Sequence, residues 1–260
     1  IFTEKINRVE MYVFDESATC VSSTVLPDKD VEARVTVLPP LPSGDYRIIC
    51  VGNTYETGVE NLTSKDYSKI LFAADDYLNG KTVAGNDSLY YASVDYQIKA
   101  FSPMIYEETR TAQFASSHYD ILVEVVNAPP YVGKHPKIEL LGVTPQTDFE
   151  NVAKGQTTDY IMETVHDGVK TTTARNNIMR NTNHEDVYLK VTGEDGKEAV
   201  YRVRIGKMQI FQGKAQTYMR KGMRYFQSYG LLALLKKSAV KGVTRVRELE
   251  LIAGEDNPIT

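Results

Sequence analysis

"RVEMYVFDES" (residues 8–17) sets the reading of the chain. Val9, Met11 and Val13 alternate with Glu10, Tyr12 and Phe14, the period-two pattern of a strand with one face on a core. Asp15 and Glu16 then start a polar turn. The same alternation recurs downstream. Tyr46, Ile48 and Cys50 share a face in "DYRIICVGN", as do Val94, Tyr96 and Ile98 in "SVDYQIKAF". Ile121, Val123 and Val125 do so in "YDILVEVVN", and Ile138 and Leu140 in "KIELLGV". The clearest hairpin is "VYLKVTGEDGKEAVYRVRI", where Asp195-Gly196 suits a tight turn that needs positive φ. Pro/Gly-rich stretches at 38–45, 127–136 and 143–148 punctuate the strands. Short strands with turns between them predict an all-β protein of antiparallel sandwiches. One helix is expected over 63–78, capped by Ser64, with Ile70, Leu71 and Ala74 at helical spacing.

The 260 residues are 42% apolar and 25% charged, an ordinary globular balance; 17 are Tyr and none is Trp. Tyr suits half-buried strands, since its ring packs while its hydroxyl reaches water. The net charge of −4 is unevenly spread. Residues 206–247 hold ten Lys/Arg and no acid, leaving 20 basic against 30 acidic residues in 1–205. An acidic body disfavours nucleic acid as the partner, because phosphate binding needs clustered cations. The basic tail, with Tyr218, Arg220, Lys221, Arg224, Tyr225 and Phe226 interleaved, reads as a surface with snorkelling cations or as a grip for an anionic polymer or membrane. A helix around 218–237 fits it. The longest apolar run, 229–235, is far short of a membrane-spanning helix.

Signals of chemistry are sparse. No GxSxG, HExxH, GxGxxG or GxxxxGK[ST] pattern occurs. The four histidines lack zinc spacing, and His118 in "SSHYD" reads as structural. Adjacent Asp75 and Asp76 lack the alternating ligands of a calcium loop and read as a polar loop or helix end. Cys20 and Cys50 allow either one disulfide or two buried thiols. Asn61 and Asn86 match the glycosylation acceptor pattern, a match common by chance. The expectation is a non-enzymatic protein with no catalytic residue, metal or cofactor.

The opening stretch, in its setting, resembles the fimbrial anchor and minor-subunit family of Bacteroidota. The family layout is a strand ending in aliphatic-Tyr-Val-Phe-Asp, a connecting strand, a Pro-x-Gly-x-Tyr turn, and a strand ending near Gly-Asn. This chain supplies Tyr12, Val13, Phe14 and Asp15, then Pro42, Gly44 and Tyr46, then Gly52 and Asn53. "SHYDILVEV" (117–125) and "RNNIMRNTNHEDVYLKV" (175–191) resemble the second sandwich. The likeness extends over about 1–205. It implies two tandem transthyretin-like Greek-key sandwiches, 1–110 and 111–206, with a basic segment 207–260 of unassigned structure. It also implies a secreted surface protein at the outer membrane, joined to other fimbrial subunits by β-strand addition. A preceding strand and a lipid-modified cysteine are expected upstream, since the chain opens at Ile1 and reads as a trimmed or mature fragment. The alternative is a surface adhesin for glycan or host protein, using exposed Tyr after Val51 and around Tyr131.

Overall fold

The alternating segments become strands in four antiparallel sheets. The computed structural model describes residues 5–99, 108–127, 133–180, 187–204, 231–235 and 250–253. The first sheet holds β1 (Val9–Phe14), β2 (Cys20–Val25), β3 (Gly44–Gly52), β6 (Tyr90–Ile98) and β7 (Ala115–Ser116), in the order β2-β1-β3-β6-β7. The second holds β4 (Thr57–Glu60), β5 (Leu71–Ala74), β10 (Gln146–Asp148) and β11 (Ala153–Lys154), in the order β11-β10-β5-β4. The third runs β12 (Thr158–Ile161), β9 (Lys137–Val143), β15 (Val187–Thr192), β16 (Glu198–Arg204) and β18 (Glu250–Ala253). The fourth runs β13 (Thr164–His166), β14 (Thr171–Met179), β8 (His118–Asn127) and β17 (Leu231–Leu235). The fold is an all-β sandwich architecture.

β1 and β3 are buried on both faces. Val9, Met11 and Val13 join Tyr46, Ile48 and Cys50 in one core, closed by Val31 of the short helix α1 (Asp28–Ala33) and by Leu38, Leu41 and Phe114. On the other face Tyr12, Phe14, Ile49 and Val51 pack against Phe72 of β5 and against Phe149. Phe149 follows β10, so this core is completed by residues far along the chain. It stacks on Phe72 at 4.3 Å between centroids and meets Tyr12 edge-on at 5.1 Å. A third core lies between the other two sheets, with Ile121, Val123 and Val125 of β8 against Ile138, Leu140, Leu189 and Val191. Ala74 and Val83, from the first half of the chain, reach into it.

The crossing is fixed by hydrogen bonds. Asp148 Oδ1 accepts from the amides of Glu150 (2.9 Å) and Val152 (2.8 Å), closing the β10–β11 hairpin that presents Phe149. Its Oδ2 lies 3.3 Å from Lys154 Nζ. Asn86 Oδ1 accepts from Tyr160 Oη (2.7 Å) and from the Met179 amide (3.2 Å). Its Nδ2 is buried, so this acceptor pattern is closed to a glycan.

Other expectations change in the fold. Residues 63–78 are not one helix: a 3-10 turn (Tyr67–Lys69) precedes β5, and a single helical turn α2 (Asp75–Leu78) follows it. The turn is capped by Asp66, not Ser64, through its bond from the Ser68 amide. Helix propensity loses here because Leu71–Ala74 lies between β4 and β10 and gains ladder bonds on both sides. Asp75 and Asp76 form the first turn of α2, and Asp76 sits 3.8 Å from Lys81. The helix expected over 218–237 is a strand where the structure describes it: β17 pairs antiparallel with β8. The aromatic-basic residues 218–226 lie outside the described residues. Cys20 and Cys50 are free thiols on opposite faces of the first sheet, which excludes their pairing. Burial pushes the Cys50 thiol up to about 11.

His118 has a structural role. It is half-buried and its Nδ1 contacts the Leu89 carbonyl at 2.7 Å, with Tyr90 edge-on at 5.3 Å. Desolvation holds its imidazole below the usual histidine range.

Two predictions follow from this packing. Phe149→Ala removes the ring that completes the aromatic core, and should cost about 3–5 kcal/mol, read from urea unfolding; a loss under about 1 kcal/mol would contradict the arrangement. For His118, a folded-state pKa below the unfolded value of about 6.5 means that the folded chain binds fewer protons. Its contribution is therefore complete above about pH 6.5 and declines as the pH falls below it. The urea midpoint should drop between pH 7 and 5.5, and His118→Gln should flatten that slope; an unchanged slope would reject the assignment.

Candidate assembly surface

The motif residues lie at the ends and edge of the first sheet. β1 ends at Phe14, fully buried and edge-on to Tyr67 at 5.1 Å. Asp15 then organises the turn to β2. Its Oδ1 accepts from the Ser17 amide (2.9 Å), Ser17 Oγ (2.7 Å) and the Thr19 amide (2.9 Å), which holds its carboxyl below the usual range. Tyr12 donates to Glu10 Oε2 at 2.6 Å, and burial raises its phenol.

At the start of β3, Tyr46 donates to the Pro42 carbonyl at 3.1 Å and pins the incoming loop. Gly44 is nearly extended, with φ of 159°, and a Cβ there would touch the Tyr46 ring only at an ordinary 3.6 Å. The steric case for glycine is stronger at Gly52, where a Cβ would meet Ile6 Cγ2 at 2.9 Å. Asn53 follows with φ of 64°. Its Nδ2 donates to the carbonyls of Lys5 (2.6 Å) and Ser88 (3.1 Å), and its Oδ1 accepts from the Asn7 amide (3.0 Å). Gly52 and Asn53 thus seat the segment that leads into β1. Nothing in the periodicity of the sequence shows this; the Gly-Asn pair itself, Asn being a residue that visits the left-handed region, is its local signal.

Among the described residues, β2 is the outer strand of this sheet and pairs only with β1. The Leu26 amide donates to the Val9 carbonyl at 2.8 Å, so hydrogen-bonded pairs fall at Thr24–Met11 and Ser22–Val13. By the alternation of an antiparallel ladder, Ser23 and Val25 turn their backbone N–H and C=O to the free side. The strand reads Cys-Val-Ser-Ser-Thr-Val, with no charge and no Pro, and leaves Val21 46% and Val25 45% exposed. Edge strands are ordinarily guarded by Lys, Pro or very short length. The other edges among the described residues follow that rule in part. β7 and β11 are two residues long, β13 three, and β4 and β12 carry Glu60 and Asp159. β17, from the C-terminal segment, is also uncharged but shorter.

Beside the Val25 end of β2 lies a cleft of about 530 Å³, lined by Ile6, Arg8, Val25, Val31 and Tyr55, with Asp28 and Glu32 of α1. Tyr55, in the loop after Val51, is exposed; Tyr131 lies outside the described residues. Among the described residues no group of three or more His, Cys, Asp or Glu is placed to hold a metal.

Comparison with known proteins places this geometry. A sequence profile of the fimbrillin-A associated anchor proteins Mfa1 and Mfa2 matches residues 1–230. Among solved structures, the fimbrial anchor protein Mfa2 from Porphyromonas gingivalis aligns with a TM-score of 0.57 at 21% identity, covering 75% of this chain and 73% of that one. A candidate adhesin from Bacteroides thetaiotaomicron gives 0.56 at 14%, covering 76% and 72%. A candidate polysaccharide-binding protein from the same organism gives 0.59 at 13%, with the same coverage. No curated protein matches the sequence. The structures share the fold, and the profile match over most of the chain shows that it belongs to the family of fimbrillin-A associated anchor proteins.

Proposed function

We propose that the chain is a non-enzymatic anchor or minor subunit of a surface fimbrium, held at the outer membrane through a lipidated upstream segment and joined to its neighbour by strand addition. The family supports the fimbrial role. The observation that carries the mode of assembly is the unguarded edge of β2, six uncharged residues long. An incoming strand gains backbone hydrogen bonds at Ser23 and Val25, and side-chain contact with Val21 and Val25. Tyr12, Phe14, Asp15, Pro42, Gly44, Tyr46, Gly52 and Asn53 act as scaffold: they fix the ends of β1 and β3, against which β2 is aligned. Of the two sandwiches, 1–110 and 111–206, with β7 and the β10–β11 hairpin crossing into the first, the first would then carry the assembly surface.

Ser23→Pro tests this without disturbing the β1–β2 ladder, because the lost N–H points to the free side. Cells carrying the variant should display the protein at wild-type level yet shed fimbriae into the medium. Fimbriae retained at wild-type level would reject assembly through β2.

A further inference from the structure

The cleft at the end of β2 has a composition that the fold alone does not explain. Its accessible apolar surface is Val25 and Tyr55, over a floor that covers the buried Ile6 and Val31. Its rim carries Asp28 and Glu32, one helical turn apart on α1. Neither carboxylate has an ion-pair or hydrogen-bond partner among the described residues. Like charges four residues apart destabilise a helix, and Glu32 stands in the last turn, where the helix dipole disfavours an anion. The cation lining the cleft, Arg8, is 3.1 Å from Glu10, so its charge is already matched. Two unpaired acids beside an apolar slot fit a long cationic side chain, which buries its stem and keeps its charge at the rim.

We infer that the cleft receives a Lys or Arg side chain from the strand that pairs with β2, its methylenes against Val25 and Tyr55 and its charge at Asp28 and Glu32. The inference rests on the strand-addition reading and deepens it. The β2 ladder supplies affinity that any extended strand can use, and the cleft supplies the choice of partner and its register. A donor displaced by one residue carries the cation to the opposite face of the added strand and loses the cleft. A donor with an acid at that position meets two carboxylates, so rejection is built into the same residues.

The test uses two fluorescein-labelled synthetic peptides of alternating Val and Thr, identical except for a terminal Lys or Glu, titrated into the full chain at low salt and followed by anisotropy. The Lys peptide should bind at least about fivefold more tightly than the Glu peptide, a gap that shrinks at high salt. Glu32→Gln should narrow the gap, and Asp28→Lys with Glu32→Lys should reverse it, with circular dichroism checking that each variant keeps the fold. Ser23→Pro should abolish binding of both. Equal binding of the two peptides, lost in Ser23→Pro, would overturn the cleft's role and leave strand addition standing. Binding unchanged in Ser23→Pro, or none by either peptide, would overturn strand addition at β2 and the inference with it.

Discussion

The packing of Phe149 among Tyr12, Phe14 and Phe72 is the constraint on which the rest of the structure depends. Ile70, Phe72 and Leu89 cover part of the second face of β1 and β3, and Phe149 and Met179 complete it. The hairpin closed by Asp148 brings in the missing ring, and it extends the sheet begun by β4 and β5. Because that hairpin arises between β9 and β12 of the other sandwich, the two halves are laced rather than strung. Val83 and Ala74 make the reciprocal crossing. A laced pair suits an anchoring protein, since a pull on one sandwich is shared with the other through buried contacts.

This lacing also decides what is left open. β1 is sealed above and below and flanked by β3 and β2, and among the described residues β2 has no further neighbour. The turn built by Asp15 holds one end of β2, and the Leu26 bond to Val9 holds the other. Between them lies a strand of Ser, Thr and Val whose outer backbone groups have no partner among the described residues. Residues that look like family signature rather than chemistry, from Tyr12 to Asn53, stiffen the platform behind that edge. Asn53 does so from a left-handed conformation, with three side-chain bonds to segments on either side. The cleft beside Val25 then sits at a fixed distance along the edge, as a selector of register requires.

Much of this was legible in the sequence. The period-two runs at β1, β3, β8 and β9 name inward residues of their strands, and the Asp195-Gly196 turn appears where expected, with Gly196 at φ of 77°. The family layout is visible in Tyr12 to Asp15 and in Gly52-Asn53. What escaped was set by distant parts of the chain. Tyr12 and Phe14 look like the outer face of a half-buried strand until Phe149 covers them. Leu71–Ala74 has helical spacing, and becomes a strand only because β10 arrives beside it. The cleft combines residues 6–8, 25–32 and 55, and its unpaired acids have no signature in a linear reading.

The central claim is that β2 is where a neighbouring subunit adds its strand. Amide hydrogen exchange of β2, with and without the purified partner fimbrial subunit, tests it most directly. The account predicts that Ser23 and Val25, whose amides face outward, become strongly protected on complex formation. Ser22 and Thr24, already bonded to β1, should change little. Protection that appears elsewhere while Ser23 and Val25 still exchange freely would contradict it.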